Sequence, residues 1–535
     1  MSKISVSYEL TLPHRRPGVV AYQWLYESLR SEILEGRLRP GARLPASRDL
    51  ARQYGLARGT IVNAFDQLAS EGYIAGTVGS GTYVNSVLPE KLLQVISGHD
   101  KPRYNDSTRD KPRLGKSRQS EMPAVQTKRQ PAISDYARRA QLYRCYENRP
   151  IRAFRPNLPA LDLFPTALWT SITTRRLRRI STRNLMGCDP LGYVPLRQAV
   201  AEYLSRSRGV RCVPQQIAIV SGVQEALDLA ARLLLNPGDR VCVENPGYPG
   251  AVLAFRAVGA KIATAGVDDH GIVVQQLPAR GVHLVYVTPA HQFPLGTTMT
   301  LARRLELLAW AGKSGAVIFE DDYDSEYRYS GRPIPALQGL DERGMVFYAG
   351  SFSKVTFPAL RLGYVVVPFN LLDQSEAILS FTVRHAPLLQ QLVLNDFITE
   401  GHFGRHLRRM REIYAERFSL FVEEAGSQLA GLLDISNVEA GLQTAGWLCE
   451  GLDAESAATA AARRNVDVTP LDRYMIARYK MAPDKMDRRN QHKMMAQGLQ
   501  LGFAALDAKE IRRGVRELAI ALEGERKAAR ERLAG

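Results

Sequence analysis

The sequence has 535 residues, which is too long for one ordinary domain, so we expect two or three. Hydrophobic residues at 45% and charged residues at 23% are typical of globular proteins and exclude a largely disordered chain. The formal net charge of +17 is unusual for an enzyme of small metabolites. It favours a polyanionic partner such as nucleic acid, with a generally basic protein as the alternative.

The cysteines and the hydropathy pattern indicate the cellular compartment in which the protein is expected. The five cysteines form no CxxC pair and have no neighbouring histidine: Cys145, Cys188, Cys212, Cys242 and Cys449. This scatter argues against a zinc site and a disulfide framework, and it suits a reducing compartment. The first thirty residues lack an apolar signal core, and no apolar run is long enough to span a bilayer. We therefore expect a cytoplasmic protein without a membrane partner.

Residues 1–85 predict three helices followed by a hairpin. Apolar residues at helical spacing from Tyr22 to Ile33 predict the first helix, which Gly36 ends. Ser47 is expected to cap a second helix, and a third is predicted over residues 57–70. Two short strands enclose the tight turn at 79–81. This order is the outline of a winged helix-turn-helix domain.

Such a domain would read double-stranded DNA with its third helix, which enters the major groove N-terminus first. Glycines in the wing would let its backbone approach phosphates closely. The candidate DNA-binding residues are Arg43, Arg48, Arg58, Thr60, Gly79 and Gly81. A three-helix interaction domain that binds no DNA is the alternative.

Three motifs carry a family resemblance across residues 15–85. They are LPASRDLA at 44–51, YGLARGTI at 54–61 and GSGTYV at 79–84, and together they resemble the GntR family of winged-helix repressors. Ala57 is a departure, because the family often has serine there. Alanine is a poor N-cap and costs about 1 kcal/mol of helix stability.

Residues 86–149 are predicted to be a flexible basic linker. They contain 14 lysines and arginines against 7 acidic residues, and prolines interrupt them. Too few large apolar residues are present to build a core. We expect a mobile tether with a short helix near 89–96, whose basic excess would add non-specific DNA affinity.

From residue 150 to 535 the pattern predicts an α/β domain. Apolar strands are expected at 216–220, 241–243, 282–287, 316–319, 345–348 and 364–367. Helices are expected between them, for example at 224–235 and 301–312. Strands that are apolar throughout are typical of a sheet covered on both faces. In such sheets ligands bind beyond the carboxyl ends of the strands.

Lys354 lies between two predicted strands, in the stretch GSFSKVTFPALRLG at 350–363. A buried lysine needs a partner or a covalent bond, because desolvation of its charge is costly. Ser351, Ser353 and Arg361 are near it in sequence and could grip a phosphate. This set suits an imine between Lys354 and a phosphorylated aldehyde. A solvated lysine in a polar loop is the alternative.

Other polar residues follow the neighbouring strands. The run SGVQ at 221–224 opens a helix whose free N–H groups favour a phosphate. Tyr248 offers a flat face for a ring, and His291 offers hydrogen bonds. Asp321 and Tyr323 are two apart in an extended segment and point the same way. Each has an ordinary structural interpretation alone; their shared position at strand ends makes a binding site the stronger hypothesis.

Segment 150–535 resembles the fold-type-I aminotransferases, which bind pyridoxal 5′-phosphate. The resemblance implies a PLP-dependent transferase large domain with a small C-terminal subdomain. It implies that Lys354 forms the imine with the cofactor, Asp321 contacts the pyridine nitrogen and Tyr323 the ring oxygen. Asp322 is the close competitor for the pyridine contact. The remaining contacts are implied for Tyr248 with the ring, and for Val223, Gln224, Ser351, Ser353 and Arg361 with the phosphate.

The whole chain resembles the MocR family of transcriptional regulators, in which a GntR-like unit precedes an aminotransferase-like domain. The motifs DPLGYVPLR at 189–197 and HLRRMR at 406–411 also match that family. The resemblance implies a homodimer that regulates transcription in response to an amino acid, an amine or the cofactor itself. The alternatives are a working aminotransferase with an accessory DNA-binding module and a regulator that binds no cofactor.

Three positions depart from the patterns of these families. Gln500 stands where aminotransferases commonly have an arginine for the substrate carboxylate, whose loss removes roughly 1.5–3 kcal/mol of carboxylate affinity. Gly250 lacks the arginine of some amino-acid sensors. Gly187 stands where many relatives have a tyrosine that reaches the phosphate across the dimer. A basic insertion at 474–497 precedes the last strand and could supply a carboxylate contact, with a solvated loop as the alternative.

Overall fold

The computed structural model describes residues 10–15, 18–77, 81–85, 132–141, 150–329, 335–476 and 497–534. The chain divides into two compact units, Met1–Thr127 and Lys128–Gly535. The predicted helix near 89–96, most of the insertion at 474–497 and Gly79 lie outside the described residues. Among the helices that are described, none combines the length and the apolar composition needed to cross a bilayer.

The first unit is a three-helix domain with a wing, as predicted. Its elements are α1 (Ala21–Leu34), α2 (Ser47–Tyr54), α3 (Arg58–Ser70), β1 (Ile74–Thr77) and β2 (Gly81–Val84). The strands pair antiparallel. Leu25, Leu29 and Ile33 from α1 pack with Leu50 and Ile61 in one buried cluster. This cluster fixes α3 against α1 and leaves the first turn of α3 at the surface.

The helix starts differ in one detail from the prediction. Ser47 is the first residue of α2, and Ala46 occupies its N-cap position without a side-chain hydrogen bond. The prediction of Ser47 as a cap was therefore wrong by one residue. Ala57 holds the N-cap of α3, also without a side-chain bond. Gly55 ends α2 with φ of 63°, a left-handed conformation that glycine adopts without steric cost.

Within its described residues, the second unit contains ten more α-helices before its C-terminal subdomain, and an eight-stranded sheet. The helices are α4 (Asp135–Arg139), α5 (Thr166–Arg178), α6 (Thr182–Met186), α7 (Val194–Arg208), α8 (Val223–Leu234), α9 (Pro249–Ala257), α10 (Leu301–Ser314), α11 (Leu337–Leu340), α12 (Leu372–Thr382) and α13 (Leu388–Thr399) in the described ranges. The strands are β3 (Ile217–Val220), β4 (Arg240–Asn245), β5 (Lys261–Asp268), β6 (Gly271–Ile272), β7 (Val282–Val287), β8 (Val317–Asp322), β9 (Val346–Ser351) and β10 (Gly363–Val366).

The order of strands in this sheet is β3-β10-β9-β8-β7-β4-β5-β6. Strands β5, β4, β7, β8 and β9 run parallel, while β10 is antiparallel to both of its neighbours, β9 and β3. The carboxyl ends of β3, β4, β7, β8 and β9 therefore meet at one edge of the sheet. All six predicted strands are confirmed, while β5 and β6 were not predicted.

The C-terminal subdomain has its own sheet. Its strands β11 (Leu433–Ile435), β12 (Gln443–Leu448), β13 (Thr469–Pro470) and β14 (Gly498–Gly502) are antiparallel in the order β11-β12-β14-β13. Three helices accompany it: α14 (His402–Gln428), α15 (Ala454–Arg463) and α16 (Ala508–Ala534). A continuous buried cluster joins residues of this sheet to β3 and β10. The mixed α/β fold with a small C-terminal subdomain is thus confirmed.

Part of the segment that was predicted to be a flexible linker forms a short helix that packs against other helices of the second unit. Ser134 caps α4 by accepting the N–H of Ala137 at 3.1 Å. Arg139 donates to the carbonyl of Ala257 at 3.2 Å, and Tyr136 lies beneath the guanidinium of Arg232. These contacts attach residues 135–139 to α8 and α9.

The empty cap of α3 gives a stability prediction. Replacing Ala57 by serine, written A57S, supplies an acceptor for the first free N–H groups and stabilises α3 by about 1 kcal/mol. Slower hydrogen exchange of the first-turn amides of α3 in the full-length chain measures the effect. A69S adds the same hydroxyl at an exposed position inside α3, and we expect no protection from it. Unchanged exchange in A57S would contradict the prediction.

Candidate functional site

One edge of the large sheet collects the predicted site residues. Gly222 follows β3, Tyr248 follows β4 and His291 follows β7. Asp321 lies near the end of β8 and Lys354 follows β9. Since Gly363 at the start of β10 pairs with both Val220 and Ser351, Arg361 reaches the same edge from the opposite direction. The topology thus brings separate stretches of sequence to one place.

Lys354 is half-buried at this edge, and its amine is held by the backbone. Its Nζ donates to the carbonyl of Asn157 at 2.7 Å. Burial lowers the pKa of Lys354 to about 8, while the nearby carboxylates of Asp324 and Asp321 act in the opposite direction. A lysine with a lowered pKa has a larger neutral fraction near neutral pH, and the neutral amine is the nucleophilic form.

The pleat of β8 gives Asp321 and Asp322 different surroundings. Asp322 Oδ2 accepts hydrogen bonds from Arg208 at 2.8 Å and from Tyr348 at 2.6 Å. Burial opposes its ionisation, but Arg208 and the surrounding hydrogen bonds outweigh burial and hold the pKa of Asp322 below its ordinary value. Asp322 is therefore engaged in a buried ion pair on the side of β8 away from Asp321.

Asp321 retains an open acceptor. Its Oδ2 accepts the hydroxyl of Tyr286 at 2.7 Å, while Oδ1 is buried without a hydrogen-bond partner in the described structure. Burial raises the pKa of Asp321 to about 7, although the Tyr286 hydrogen bond acts in the opposite direction. A buried carboxylate oxygen without a donor is costly, so it indicates a missing partner. Asp322 Oδ1 also lacks a partner among the described residues, but Asp322 is bound by Arg208 and Tyr348 through its other oxygen. Asp321 is therefore the carboxylate of this pair that acts on Lys354 and is available to a ligand there.

Tyr323, His291 and Asp324 form a buried network beside Asp321. The Tyr323 hydroxyl lies 3.0 Å from His291 Nδ1, which is also 3.0 Å from both carboxylate oxygens of Asp324. The other ring nitrogen, His291 Nε2, is buried without a partner among the described residues. Burial raises the pKa of Tyr323 well above its ordinary value, although the Gln443 side chain acts in the opposite direction, so the phenol stays protonated and can donate.

Aromatic rings form one wall of the site. The ring of Tyr248 stacks on Tyr286 at 6.4 Å with an interplanar angle of 29°, and Phe293 meets Tyr248 edge-on at 5.7 Å. Phe293 in turn lies 6.1 Å from Tyr323 and 5.0 Å from Tyr474 between ring centroids. The ring faces in this wall are apolar, which suits contact with a planar ring.

Backbone N–H groups and the guanidinium of Arg361 surround the start of α8. Gly222 holds its N-cap with φ of 114°, and the first helical residues are Val223 and Gln224. The guanidinium of Arg361 is close to Gly222, since a Cβ built there would lie 3.7 Å from Arg361 Nη1. Free N–H groups at a helix start, with a cation opposite them, attract an anion. Glu225 also lies at this turn, where it accepts the Ser221 N–H at 2.5 Å.

Ser351 and Ser353 belong to the same turn as Lys354. Both are half-buried, and the Ser353 N–H donates to Ser351 Oγ at 3.2 Å. Arg361 adopts a left-handed conformation with φ of 52° and is exposed. The structure therefore places these three predicted residues at the sheet edge that carries Gly222.

Several functional neighbours were missed by sequence reasoning. Asn157 and Gln443 lie far from Lys354 in the chain, yet Gln443 Oε1 accepts the Asn157 N–H at 2.8 Å. Tyr286 was assigned only to a strand, and Asp324 only to an acidic run. Glu244 is also buried here; it accepts the Thr288 hydroxyl at 2.6 Å, and burial raises the pKa of Glu244 to about 7.

The three positions that depart from the family patterns are each in close contact with neighbouring side chains. Gln500 is fully buried, and its Oε1 accepts the Tyr474 hydroxyl at 2.7 Å. A Cβ on Gly250 would lie 2.6 Å from Gln224 Oε1 and from the Tyr248 ring, so a side chain there requires rearrangement. A Cβ on Gly187 would lie 2.9 Å from His385 Nε2, so His385 occupies the space next to that position.

The first unit presents its predicted DNA contacts at the surface. Arg43, Arg48 and Arg58 are placed by the elements around the wing and α3, and Thr60 is half-buried in the first turn of α3. Arg43 lies against the wing, because a Cβ on Gly81 would be 2.7 Å from Arg43 Nε. Arg58 is the first residue of α3, where a groove-binding helix contacts bases and phosphates.

Comparison with known families assigns both units. Residues 21–84 match the family model of bacterial regulatory proteins of the gntR family, and residues 169–463 match that of aminotransferase class I and II. The chain is 37% identical to the probable rhizopine catabolism regulatory protein MocR of Rhizobium meliloti, with 94% of each chain covered. It is 33% identical to the HTH-type transcriptional regulator TauR of Rhodobacter capsulatus, covering 76% of this chain and 80% of TauR.

Among solved structures, the second unit is similar to LysN, the α-aminoadipate aminotransferase of Thermus thermophilus. The TM-score is 0.61 at 29% identity, and the match covers 70% of this chain and 92% of LysN. That crystal structure is of a complex with N-(5′-phosphopyridoxyl)-L-leucine. The matches to the regulators MocR and TauR cover 94% and 76% of this chain, whereas the match to aromatic-amino-acid aminotransferase 1 of Thermococcus litoralis, at 27% identity, covers 72%. The wider coverage by regulators favours regulation over the alternative of a working aminotransferase. The chain belongs to the MocR-type transcriptional regulators, in which a GntR-type DNA-binding unit is joined to a domain of the aminotransferase class I and II family.

Proposed function

We propose that this regulator binds pyridoxal 5′-phosphate at Lys354 and senses a small amine or amino acid in the same pocket. The chain would act as a homodimer whose two DNA-reading units bind a promoter. Effector binding would shift the dimer between conformations that hold these units differently, with a typical coupling of about 1–3 kcal/mol between sites.

The open carboxylate oxygen of Asp321 carries this proposal. It is buried, lacks a donor, and shares the sheet edge with the half-buried Lys354. A protonated ring nitrogen would supply the missing donor, and the negative charge of Asp321 would keep that nitrogen protonated. The donor set therefore fits the cofactor that the LysN complex contains in derivatised form.

Each remaining residue has a role that follows from its surroundings. The Tyr323 phenol would donate to the ring oxygen, and Tyr248 would cover the ring face. Arg361, Ser351, Ser353 and the N–H groups of Val223 and Gln224 would hold the phosphate. When bound, the cofactor supplies an aldehyde carbon that reacts with primary amines and a ring that withdraws electrons.

Sensing is favoured over rapid turnover by the side chain at position 500. A neutral glutamine stands there instead of the arginine that the aminotransferase resemblance implies, and it is fully buried. Without a charge-assisted bidentate contact, an amino-acid substrate is held less tightly and less uniquely. The domain would thus retain amine recognition with little transfer activity.

The cofactor proposal predicts a coloured protein. We expect purified wild-type chain supplied with pyridoxal 5′-phosphate to show a visible absorbance band, and K354A to lack it. D321N is expected to weaken retention of the cofactor, since an amide cannot stabilise the protonated ring nitrogen. K313A, which removes an exposed lysine, is the matched control and should stay coloured. A colourless wild type after incubation with the cofactor would contradict the proposal.

The lowered pKa of Lys354 predicts the pH dependence of cofactor uptake. Only the neutral amine reacts, so the rate at which cofactor-free protein gains absorbance should rise with pH around a midpoint of about 8. D324N removes a carboxylate that raises the pKa of Lys354, so its midpoint should move to lower pH. A midpoint near 10.5, the ordinary lysine value, would mean that the amine is not desolvated.

DNA recognition is tested at the start of α3. Fluorescence anisotropy with duplexes from the chain's own genomic neighbourhood should show that R58A weakens binding by about 1–3 kcal/mol. Each lost phosphate contact should also lower the salt slope by about one. K509A removes an exposed charge from the second unit and serves as the control. Equal affinity of R58A and wild type would exclude α3 as the reading helix.

A further inference from the structure

We propose that the pocket selects a primary amine whose second polar group is an uncharged hydrogen-bond acceptor, represented by an amino alcohol, over the amino acid of the same carbon skeleton. This assignment names the effector class of the pocket and rests on the function proposed above. Two buried amide side chains, Gln443 and Gln500, carry it.

The two glutamines share one face of the small sheet. Gln443 pairs with Gly502, and Ala445 pairs with Gln500 in the β12–β14 ladder. Side chains two residues apart on a strand point the same way, as do directly paired residues. Gln443 and Gln500 are therefore diagonal neighbours on a single face.

Hydrogen bonds and ring contacts connect this face to Lys354. Gln443 accepts the N–H of Asn157, and the carbonyl of Asn157 accepts the Lys354 amine. Gln500 accepts the hydroxyl of Tyr474, whose ring packs against Phe293 in the aromatic wall of the site. The two amides thus border the pocket on the side of the C-terminal subdomain.

Both amides have their oxygen occupied and their nitrogen open. Gln443 Oε1 accepts the Asn157 N–H, which can only donate and therefore fixes that amide, and Gln500 Oε1 accepts the Tyr474 hydroxyl. The Nε2 atoms of Gln443 and Gln500 are buried without a hydrogen-bond acceptor among the described residues. Buried donors are almost always satisfied, so two open N–H₂ groups on one face indicate an acceptor that a ligand supplies.

The charge of the pocket decides which acceptor is favoured. Asp321, Asp324 and Glu244 are buried carboxyl groups around the same site. A ligand carboxylate would lose its hydration beside them and gain only neutral amide donors from the two glutamines. A hydroxyl or carbonyl oxygen costs much less to desolvate and is satisfied by the same donors. The neutral side chain at position 500 therefore sets selectivity against carboxylates.

Matched pairs of amines test the inference on the cofactor-loaded, full-length protein. The probes are alaninol against alanine and 3-aminopropan-1-ol against β-alanine, titrated at one pH. We expect the half-saturating concentration for the change in visible absorbance to be about tenfold lower for each amino alcohol, since desolvation of the carboxylate is uncompensated. The shift in melting temperature at fixed ligand concentration should follow the same order.

Variants at position 500 separate the amide from other features. Q500R supplies a charge-assisted donor and should reverse the preference within each pair. Q500M has a similar size without the donor; it should weaken binding of the amino alcohols and of the amino acids, because the hydroxyl and the carboxylate oxygen both use that donor. Q374R adds the same charge at an exposed position of α12 and should retain the wild-type preference. Melting temperatures of the unliganded variants check that each is folded.

The outcomes distinguish this inference from the proposed function. A wild type that is coloured and prefers the amino acids, or responds to neither member of any pair, overturns the amino alcohol assignment and leaves cofactor binding standing. A folded Q500R with wild-type preference overturns the role of Gln500. A wild type that stays colourless overturns both. The wild-type preference is measured without any variant, so misfolding of Q500R cannot rescue the inference.

Discussion

The alternation of side chains along β8 is the constraint on which the site depends. Asp321 and Asp322 are adjacent and buried, yet the pleat sends them to opposite faces of the strand. Arg208 and Tyr348 neutralise Asp322, which becomes part of the packing between β8, β9 and α7. Asp321 is left with one oxygen open beside Lys354. One strand thereby contributes, in consecutive positions, a carboxylate held in an ion pair and the carboxylate that we propose binds the ligand.

The rest of the pocket follows from the topology that surrounds β8. Parallel strands deliver Tyr248, His291 and Lys354 to one sheet edge, and the antiparallel β10 returns Arg361 to it. The small sheet contributes the opposite side through Gln443 and Gln500. In the proposed function, the groups that would contact the cofactor are supplied by the large sheet, whereas the groups that would distinguish effectors come from the C-terminal subdomain. This division would let effector specificity change without altering the residues around Lys354.

The sequence predicted those strands and helices whose formation depends on residues that are close together in the chain. Apolar strands that are buried on both faces were found because nearly every residue in them is apolar, as in Val282–Val287. Strand β5 was missed because exposed and half-buried residues interrupt its apolar pattern, beginning with Lys261. Ser47 was misassigned because serine occurs in the first turn of a helix as well as at its N-cap position. The helix Asp135–Arg139 was not predicted because it lies in a basic segment of low hydrophobicity.

Long-range contacts could not be predicted in the same way. The hydrogen bonds that link Lys354 to Asn157 and Asn157 to Gln443 join residues 197 and 286 positions apart, and no motif marks either partner. Spacing alone could not exclude Asp322 until its partners were located. The absence of arginine at position 500 was visible in the sequence, but its consequence depends on Tyr474 and on the burial of the amide.

The most direct test of the account is to locate the cofactor on the chain. Protein incubated with pyridoxal 5′-phosphate is reduced with borohydride, digested and analysed by tandem mass spectrometry, which reports the lysine that carries the phosphopyridoxyl group. The account predicts that the group is found on Lys354, at near-stoichiometric yield. A modification spread over exposed lysines, or its absence from Lys354, would contradict the account.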